Sequence, residues 1–148
     1  MATVQRRAEA IWEGNLEKGK GRVTSGTGAL GELPVTWAAR VEQPDGKTSP
    51  EELIAAAHAA CYSMAFSGAL AKNGHPPTRL HVTATSGLEK GQDGIRIATM
   101  DLEVRGQVPG IDQATFARLA EEGEKGCPVS NALRNNVQIR VKATLEGS

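Results

Sequence analysis

Two cysteines are the residues of this chain whose types and settings suggest chemistry. Cys61 lies within the alanine-rich run Pro50-Glu-Glu-Leu-Ile-Ala-Ala-Ala-His-Ala-Ala-Cys-Tyr-Ser-Met64, and Cys127 opens the segment Gly126-Cys-Pro-Val-Ser130. The chain has no other thiol. If the two cysteines form a functional pair, the chemistry that they support is thiol oxidation and reduction.

Length and composition restrict the classes of protein to consider. The 148 residues are enough for one domain with its own core, and we expect a single domain over residues 1–148. Basic and acidic residues balance at 17 each, and aromatic residues make up only 3%, which argues against a nucleic-acid surface. We expect no membrane partner either, because we expect no apolar run to reach the roughly 20 residues that span a bilayer.

The N-terminal segment and the cysteine count bear on the compartment. Arg6 and Arg7 resemble the basic start of a signal peptide, but no apolar core follows them. We therefore expect a cytoplasmic protein. In that compartment a thiol pair is more often catalytic or redox-sensing than a persistent structural bridge.

The first part of the chain predicts three short strands and a turn. The strands are expected over Thr3–Trp12, Gly21–Ser25 and Leu33–Val41, joined by glycine-rich turns. The segment Gln43-Pro-Asp-Gly-Lys47 is a strong turn signal that separates these strands from the next element.

A long helix comes after this turn. Ser49 is the predicted N-cap, Pro50 occupies the first helical position, and Glu52 completes a capping box. Asn73-Gly74 predicts the end of the helix.

The remaining chain predicts two strands, two helices and a last strand. Alternating apolar residues and caps place these elements at Leu80–Ser86, Ile95–Val104, from the predicted cap Asp112 to Glu124, from Pro128 to about Asn135, and from Val137 to Leu145. The segment Gly91-Gln-Asp-Gly94 is predicted to close the two strands into a hairpin. The order βββ-α-ββ-αα-β, without alternating βαβ units, is typical of the α+β class.

The long helix also predicts an assembly. Residues 53–71 are apolar or small around nearly the whole circumference, and a helix of this kind must be buried on all sides. A sheet covers only one face. We therefore predict a homodimer, related by a two-fold axis, with these long apolar helices at its centre.

The two cysteines require different kinds of activation. Cys127 is predicted at the N-cap of the short helix, where free backbone N–H groups would lower its pKa. Cys61 lies mid-helix, where burial alone would raise its pKa, so it needs a nearby cation. Arg40, at the end of the third predicted strand, is a candidate for that cation, and Glu51 is available as its carboxylate partner.

Helix geometry constrains how these residues meet. Glu51 and Cys61 are ten residues apart on one helix, which is about 15 Å along the axis and roughly 80° around it. An unbroken helix cannot bring them into one site. We therefore hypothesise a composite site, in which Cys61 of one chain faces Arg40 and Glu51 of the other.

Taken together, the two cysteine segments resemble the OsmC/Ohr family of thiol-dependent hydroperoxide reductases. The resemblance covers nearly the whole chain. The segments Ile11-Trp-Glu-Gly-Asn-Leu-Glu-Lys-Gly-Lys-Gly21 and Val108-Pro-Gly-Ile-Asp112 are similar to the OsmC branch rather than the Ohr branch.

The resemblance implies an intertwined α+β homodimer, with the long helices packed between the sheets and two active sites at the subunit interface. It implies a function as well. It implies a peroxidatic Cys61, a resolving Cys127, an activating Arg40 and its partner Glu51. It further implies reduction of organic hydroperoxides, and of hydrogen peroxide less well, through a Cys61 sulfenic acid and a Cys61–Cys127 disulfide. An external dithiol, lipoyl-type or small, would recycle the enzyme without metal, flavin or haem. The apolar residues Leu53, Ile54, Met64 and Phe66 are expected to suit an alkyl group.

Several alternatives stay open at the level of the sequence. The same cysteine pair could act as a non-catalytic redox sensor or binding module, or form a structural disulfide. A metal site of both cysteines with His58 or His81 is disfavoured by the spacing. His58 is either a packed helix residue or a modulator of Cys61. Arg40 and Glu51 could also be an ordinary ion pair.

Overall fold

The fold is described by a computed structural model that covers residues 3–147. Met1 and Ala2, at the start of the N-terminal segment, and Ser148 lie outside the described residues. The chain divides after Leu53 into two compact units. The prediction of a single domain over residues 1–148 stays a prediction.

The first unit is a three-stranded antiparallel sheet with a short helix. Its strands are β1 (Ala8–Glu13), β2 (Lys20–Ser25) and β3 (Glu32–Val35), in the order β1-β2-β3. The predicted first strand began too early, at Thr3. Every residue of β1 is exposed, so the side chains of this edge strand gain little from burial within the chain.

The third predicted strand, Leu33–Val41, was too long. It ends at Val35, and the helix α1 (Trp37–Val41) comes next. Thr36 is the N-cap of this helix, and its hydroxyl oxygen accepts the backbone N–H of Ala39 at 3.1 Å. Arg40 is therefore held on the last turn of a helix and not on a strand.

The long helix α2 (Pro50–Lys72) begins and ends where predicted. The Ser49 hydroxyl accepts the backbone N–H of Glu52 at 3.1 Å, which confirms Ser49 as the N-cap. The second bond of the predicted capping box, from the backbone N–H of Ser49 to the carboxylate of Glu52, was wrong. That carboxylate instead accepts a hydrogen bond from the hydroxyl of Thr48 at 2.7 Å. Gly74, with φ of +83°, lies just beyond the end of the helix.

One face of α2 is buried and the other is exposed. His58, Tyr62, Phe66 and Leu70 recur every four residues and are fully buried. The opposite face exposes small or apolar side chains, among them Ala57, Ala60, Met64, Gly68 and Ala71. The sequence predicted a helix that is apolar on all sides, and one of these apolar sides is exposed to solvent.

The length of α2 corrects one expectation from the sequence. Helix α2 has 23 residues and contains an 18-residue window with a mean hydropathy of 1.4. By length and composition it could cross a membrane, so the expectation that no such run exists was wrong. The face of α2 that carries His58, Tyr62, Phe66 and Leu70 is fully buried, so this side of the helix packs against protein.

The second unit is a mixed sheet with two helices. The strands β4 (Arg79–Gly91) and β5 (Gly94–Gln107) form the predicted antiparallel hairpin, and β6 (Gln138–Gly147) pairs with β5 in parallel. The helix α3 (Gln113–Lys125) is capped by Asp112, as predicted, and α4 (Pro128–Leu133) begins after Cys127. The parallel pairing is possible because α3 and α4 connect the two strands.

The core of the second unit lies between its sheet, α3 and the buried face of α2. Phe66 and Phe116 meet with ring centroids 5.1 Å apart, and Met100, Leu102 and Val104 of β5 are buried beneath them. A Cβ atom at Gly123 would lie 2.9 Å from the Cα of Phe66, so glycine lets α3 approach α2 closely.

The α+β prediction is confirmed, with one addition. The observed order is βββ-αα-ββ-αα-β, because α1 is inserted before the long helix. The strands form two separate three-stranded sheets.

Candidate active site

The second unit brings the two cysteines together. Cys61 is half-buried at the middle of α2, and Cys127 is fully buried at the N-cap of α4. Their sulfur atoms are 3.3 Å apart. Both cysteines are free, and a disulfide bond would need the sulfurs to approach to about 2.05 Å. The pair is thus a dithiol that is close to the geometry of a disulfide.

The surroundings of Cys61 set the acidity of its thiol. Burial raises the pKa of Cys61, the backbone N–H of Val129 lowers the pKa by hydrogen bonding to the sulfur, and the neighbouring Cys127 raises it. The net direction is upward. This agrees with the expectation that a mid-helix thiol needs a cation to become a good nucleophile.

Helix α4 begins at the thiol pair, as the sequence predicted. Cys127 is the N-cap of α4, but its side chain makes no capping hydrogen bond. Val129, in the first turn of α4, lies close enough to Cys61 for its backbone N–H to lower the pKa of that thiol. The stabilisation of a Cys127 thiolate by the helix end stays a prediction.

Arg40 and Glu51 form a two-point ion pair within the first unit. The Arg40 Nε lies 3.1 and 3.2 Å from the two carboxylate oxygens of Glu51, and Nη2 lies 2.9 Å from Oε2. Glu51 is 7% exposed, and Arg40 is partly exposed with its guanidinium 6.0 Å from the Trp37 ring centre. The carboxylate fixes the plane of the guanidinium and leaves one side of it open.

An apolar cavity of about 310 Å³ adjoins Arg40 in the first unit. Aromatic and aliphatic side chains line most of it, among them Trp12, Leu16, Val35, Trp37 and Pro50. The sequence predicted that Met64 and Phe66 would contribute to the apolar surroundings of the substrate. Phe66 is instead fully buried in the core, and Met64 is 70% exposed on the outer face of α2.

A buried polar contact accompanies the cysteine pair. His58 Nε2 and Ser130 Oγ are 2.6 Å apart, and both side chains are fully buried. Burial lowers the pKa of His58, while the negative charge of Glu124 acts in the opposite direction. Sequence analysis missed Ser130. The signal was its spacing, since Ser130 follows Cys127 by three residues just as Cys61 follows His58 by three.

The family of the chain is established by comparison with known proteins. A family model described as OsmC-like protein matches residues 43–142. The chain belongs to the OsmC family. Peroxiredoxin OsmC of Escherichia coli (strain K12) is 40% identical over 137 residues, which are 93% of this chain and 95% of that protein. An organic hydroperoxide resistance protein of Xanthomonas axonopodis pv. citri (strain 306) is 32% identical over 93 residues, 62% of this chain and 63% of that protein.

Solved structures show the same fold. An organic hydroperoxide resistance protein OsmC from Legionella pneumophila has a TM-score of 0.76 at 23% identity, covering 97% of this chain and 99% of that chain. The organic hydroperoxide resistance protein OhrB of Bacillus subtilis has a TM-score of 0.74 at 23% identity, covering 93% and 98%. The predicted membership of the OsmC/Ohr family is confirmed.

The four residues predicted for the site of this OsmC family member form two pairs. Cys61 and Cys127 meet in the second unit, and Arg40 and Glu51 meet in the first. The catalytic roles of all four residues stay predictions. Within residues 3–147, no three His, Cys, Asp or Glu side chains converge as metal ligands would.

Proposed function

We propose that this protein is a thiol-dependent peroxidase that reduces organic hydroperoxides, and hydrogen peroxide less well, to an alcohol and water. The observation that carries the proposal is the pair of free sulfurs at 3.3 Å, one half-buried and one enclosed. The names of its relatives, a peroxiredoxin and an organic hydroperoxide resistance protein, support a peroxidase role.

The first step oxidises Cys61. Its thiolate attacks the terminal oxygen of the hydroperoxide, so an S–O bond forms while the O–O bond breaks. The sulfur loses two electrons to the peroxide, and the leaving alkoxide takes a proton to become the alcohol. The partial exposure of Cys61 supports its role as the attacking sulfur.

The second step uses the neighbouring thiol. Cys127 attacks the sulfenic sulfur of Cys61, so an S–S bond forms and the S–O bond breaks. The departing hydroxide takes the Cys127 proton and becomes water. An external dithiol, lipoyl-type or small, then supplies two electrons and two protons, restores both thiols and becomes a disulfide itself.

The cation for Cys61 comes from a second subunit in this proposal. The pKa of Cys61 is raised within its own unit, so its thiolate needs added positive charge. Helix α2 is continuous from Pro50 to Lys72, so it keeps Glu51 and Cys61 of one chain about 15 Å apart along its axis. Arg40 of the partner chain, fixed by Glu51, would stabilise the thiolate and the leaving alkoxide.

A homodimer would also cover the open face of α2. Ala57, Ala60 and Gly68 are small, which allows two helices to approach closely, and exposed Met64 would be buried. A two-fold axis between two such helices would create two equivalent sites. The apolar cavity beside Arg40 would receive the alkyl part of the substrate.

The remaining properties are part of the same proposal. The protein would act as a single OsmC-like domain in the cytoplasm, on small molecules and not on nucleic acid or membranes. It would need no metal or organic cofactor, because the two sulfurs and the guanidinium supply the chemistry of both steps.

A peroxidase assay tests the proposed function. Wild type, Cys61→Ser and Cys127→Ser would be compared with cumene hydroperoxide, tert-butyl hydroperoxide and hydrogen peroxide, with a dithiol whose oxidation is coupled to NADH. We expect turnover in wild type, no oxidation in Cys61→Ser, and one stoichiometric oxidation without dithiol-sustained turnover in Cys127→Ser. A wild type that is oxidised once and never turns over would instead identify a redox sensor.

A further inference from the structure

The contact between His58 and Ser130 connects the two helices that carry the cysteines. His58 lies on α2 three residues before Cys61, and Ser130 lies on α4 three residues after Cys127. The two side chains approach to 2.6 Å and are both fully buried. Neither residue has a part in the peroxide chemistry proposed for the cysteines.

The spacing places the two contacts side by side. Residues three apart on a helix lie on the same face, so His58 accompanies Cys61 on α2. Ser130 lies in the first turn of α4, whose N-cap is Cys127. Helices α2 and α4 therefore meet through two neighbouring contacts, one between sulfurs at 3.3 Å and one between imidazole and hydroxyl at 2.6 Å. A hydrogen bond that holds Ser130 against His58 therefore also holds Cys127 near Cys61.

We propose that His58 and Ser130 are positioning residues, whose buried hydrogen bond holds α4 against α2 so that the Cys127 sulfur reaches Cys61 during disulfide formation. The role of this contact in catalysis rests on the proposed function, but its effect on the disulfide does not. The stability of the Cys61–Cys127 disulfide can be measured whether or not the protein consumes peroxide.

His58 acts through geometry and not through charge. Its burial favours the neutral imidazole by lowering the pKa, and the opposing Glu124 is itself ion-paired with Arg134 at 2.8 Å. A neutral imidazole is not a cation for Cys61. In either tautomer its Nε2 can pair with Ser130, because a hydroxyl both donates and accepts.

Loss of the hydrogen bond would change the fate of the Cys61 sulfenic acid. That acid either condenses with Cys127, releasing water, or reacts with a second hydroperoxide to give a sulfinic acid and another alcohol. The first reaction depends on how often Cys127 is in place, and the second does not. A loosened α4 would therefore favour overoxidation without slowing the first attack.

The decisive variant is Ser130→Ala, with Ser130→Thr as the conservative rescue. After one equivalent of cumene hydroperoxide, we expect Ser130→Ala to form the disulfide about tenfold more slowly, and to accumulate sulfenic acid that dimedone traps. Its first oxidation rate should match wild type. Ser130→Thr keeps the hydroxyl and should stay within about twofold of wild type for both rates.

A second measurement does not depend on peroxide. At equilibrium with reduced and oxidised dithiothreitol, the Ser130→Ala disulfide should be about tenfold easier to reduce, which corresponds to a shift of about 30 mV. If wild type fails to consume peroxide, the proposed function fails, and this equilibrium still tests the positioning role.

Tyr62→Phe is the matched control. The buried Tyr62 hydroxyl donates to the backbone oxygen of Ala120 at 2.9 Å, so it ties α2 to α3 and not to α4. We expect disulfide formation within about twofold of wild type. An equal slowing in Tyr62→Phe and Ser130→Ala would show a general effect of losing a buried hydrogen bond and overturn the proposal.

His58→Leu removes the same contact from the other side and should reproduce the Ser130→Ala effects. It decides the question if Ser130→Ala does not fold. Disulfide formation at the wild-type rate in a folded variant would overturn the proposal. So would a failure of both variants to fold, because the contact would then serve stability alone.

Discussion

The two units of the chain differ in how completely they bury their own side chains. In the second unit, Phe66, Phe116 and Leu119 are fully buried around one core. In the first unit, every residue of β1 is exposed, and Trp12 remains 42% exposed. The charged Glu51 is among the best-buried residues of that unit.

This difference shows how the proposed chemistry would be divided between the two units. The second unit is packed well enough to hold two sulfurs at a fixed distance. The first unit offers an oriented guanidinium and an apolar cavity, but few of its side chains are covered by its own chain. A partner chain that covers these surfaces would complete the packing and the proposed site together.

Mixed dimers give the largest expected effect. Arg40→Ala and Cys61→Ala should each lack turnover, but a heterodimer of the two contains one site with both residues intact and should recover about half of the wild-type rate per dimer. Differently tagged chains allow the heterodimer to be purified and assayed. The reason is that each proposed site takes its thiol and its guanidinium from different chains.

The cysteine pair supplies the control for that experiment. Cys61 and Cys127 meet within one chain, so a heterodimer of Cys61→Ala with Cys127→Ala should stay inactive. Absence of rescue in the first heterodimer would contradict the composite site. Rescue in this control would contradict the pairing of the two sulfurs within one chain.

Core substitutions compare the packing of the two units directly. Phe116→Ala in the second unit should lower the free energy of unfolding by about 3–5 kcal/mol. Ile11→Ala in the first unit, at a side chain that is 50% exposed, should cost less than about 1 kcal/mol within a single chain. Urea denaturation at several protein concentrations measures both.

The concentration series separates the two units further. If a partner covers β1, the Ile11 variant loses more stability at the high concentrations that favour dimers. Equal losses for the two variants at all concentrations would contradict the difference in packing between the units.

Arg40→Lys is expected to change oxidation less than the loss of the guanidinium does. Lysine cannot bind both oxygens of Glu51 as the guanidinium does, so in the proposed composite site its charge would be held less firmly beside the thiolate. The pKa of Cys61 should rise, and the pH of half-maximal oxidation should rise by about one unit, equivalent to about 1.4 kcal/mol. Stopped-flow oxidation over a pH series measures this.

Arg22→Lys is the matched control in the same unit. Arg22 makes only exposed ion pairs, at 3.5 Å with Glu13 and 3.6 Å with Glu32. Its pH profile should coincide with that of wild type. A similar displacement in both variants would attribute the effect to net charge and not to the held guanidinium.

The sequence predicted those features that local chemistry determines. Ser49 and Asp112 cap their helices as expected, and the glycines at 91 and 94 close the hairpin. The helix α1 was missed because five residues are too short to show a helical period. Thr36 and Arg40 also fit the strand that was predicted over this segment, so the sequence did not distinguish the helix from a strand.

Part of the candidate site depends on contacts between distant segments and could not be predicted. The effect of the Val129 backbone N–H on the pKa of Cys61 requires α4 to lie against α2, which no local pattern encodes. The cavity beside Arg40 combines Trp12 with Trp37, which lie on different elements of the first unit. The equal spacing of His58 and Ser130 from the two cysteines was visible, but only the fold gives it meaning.

The complete enclosure of Cys127 would give the proposed recycling reaction a direction. Cys127 is fully buried and Cys61 is only half-buried, so a molecule that arrives from solvent meets the sulfur of Cys61 first. In the proposed cycle, Cys127 would therefore be the leaving group when the dithiol bonds to Cys61, and it would regain its proton without contacting the reductant. The enclosed thiol would then keep Cys61 as its single bonding partner throughout the proposed cycle.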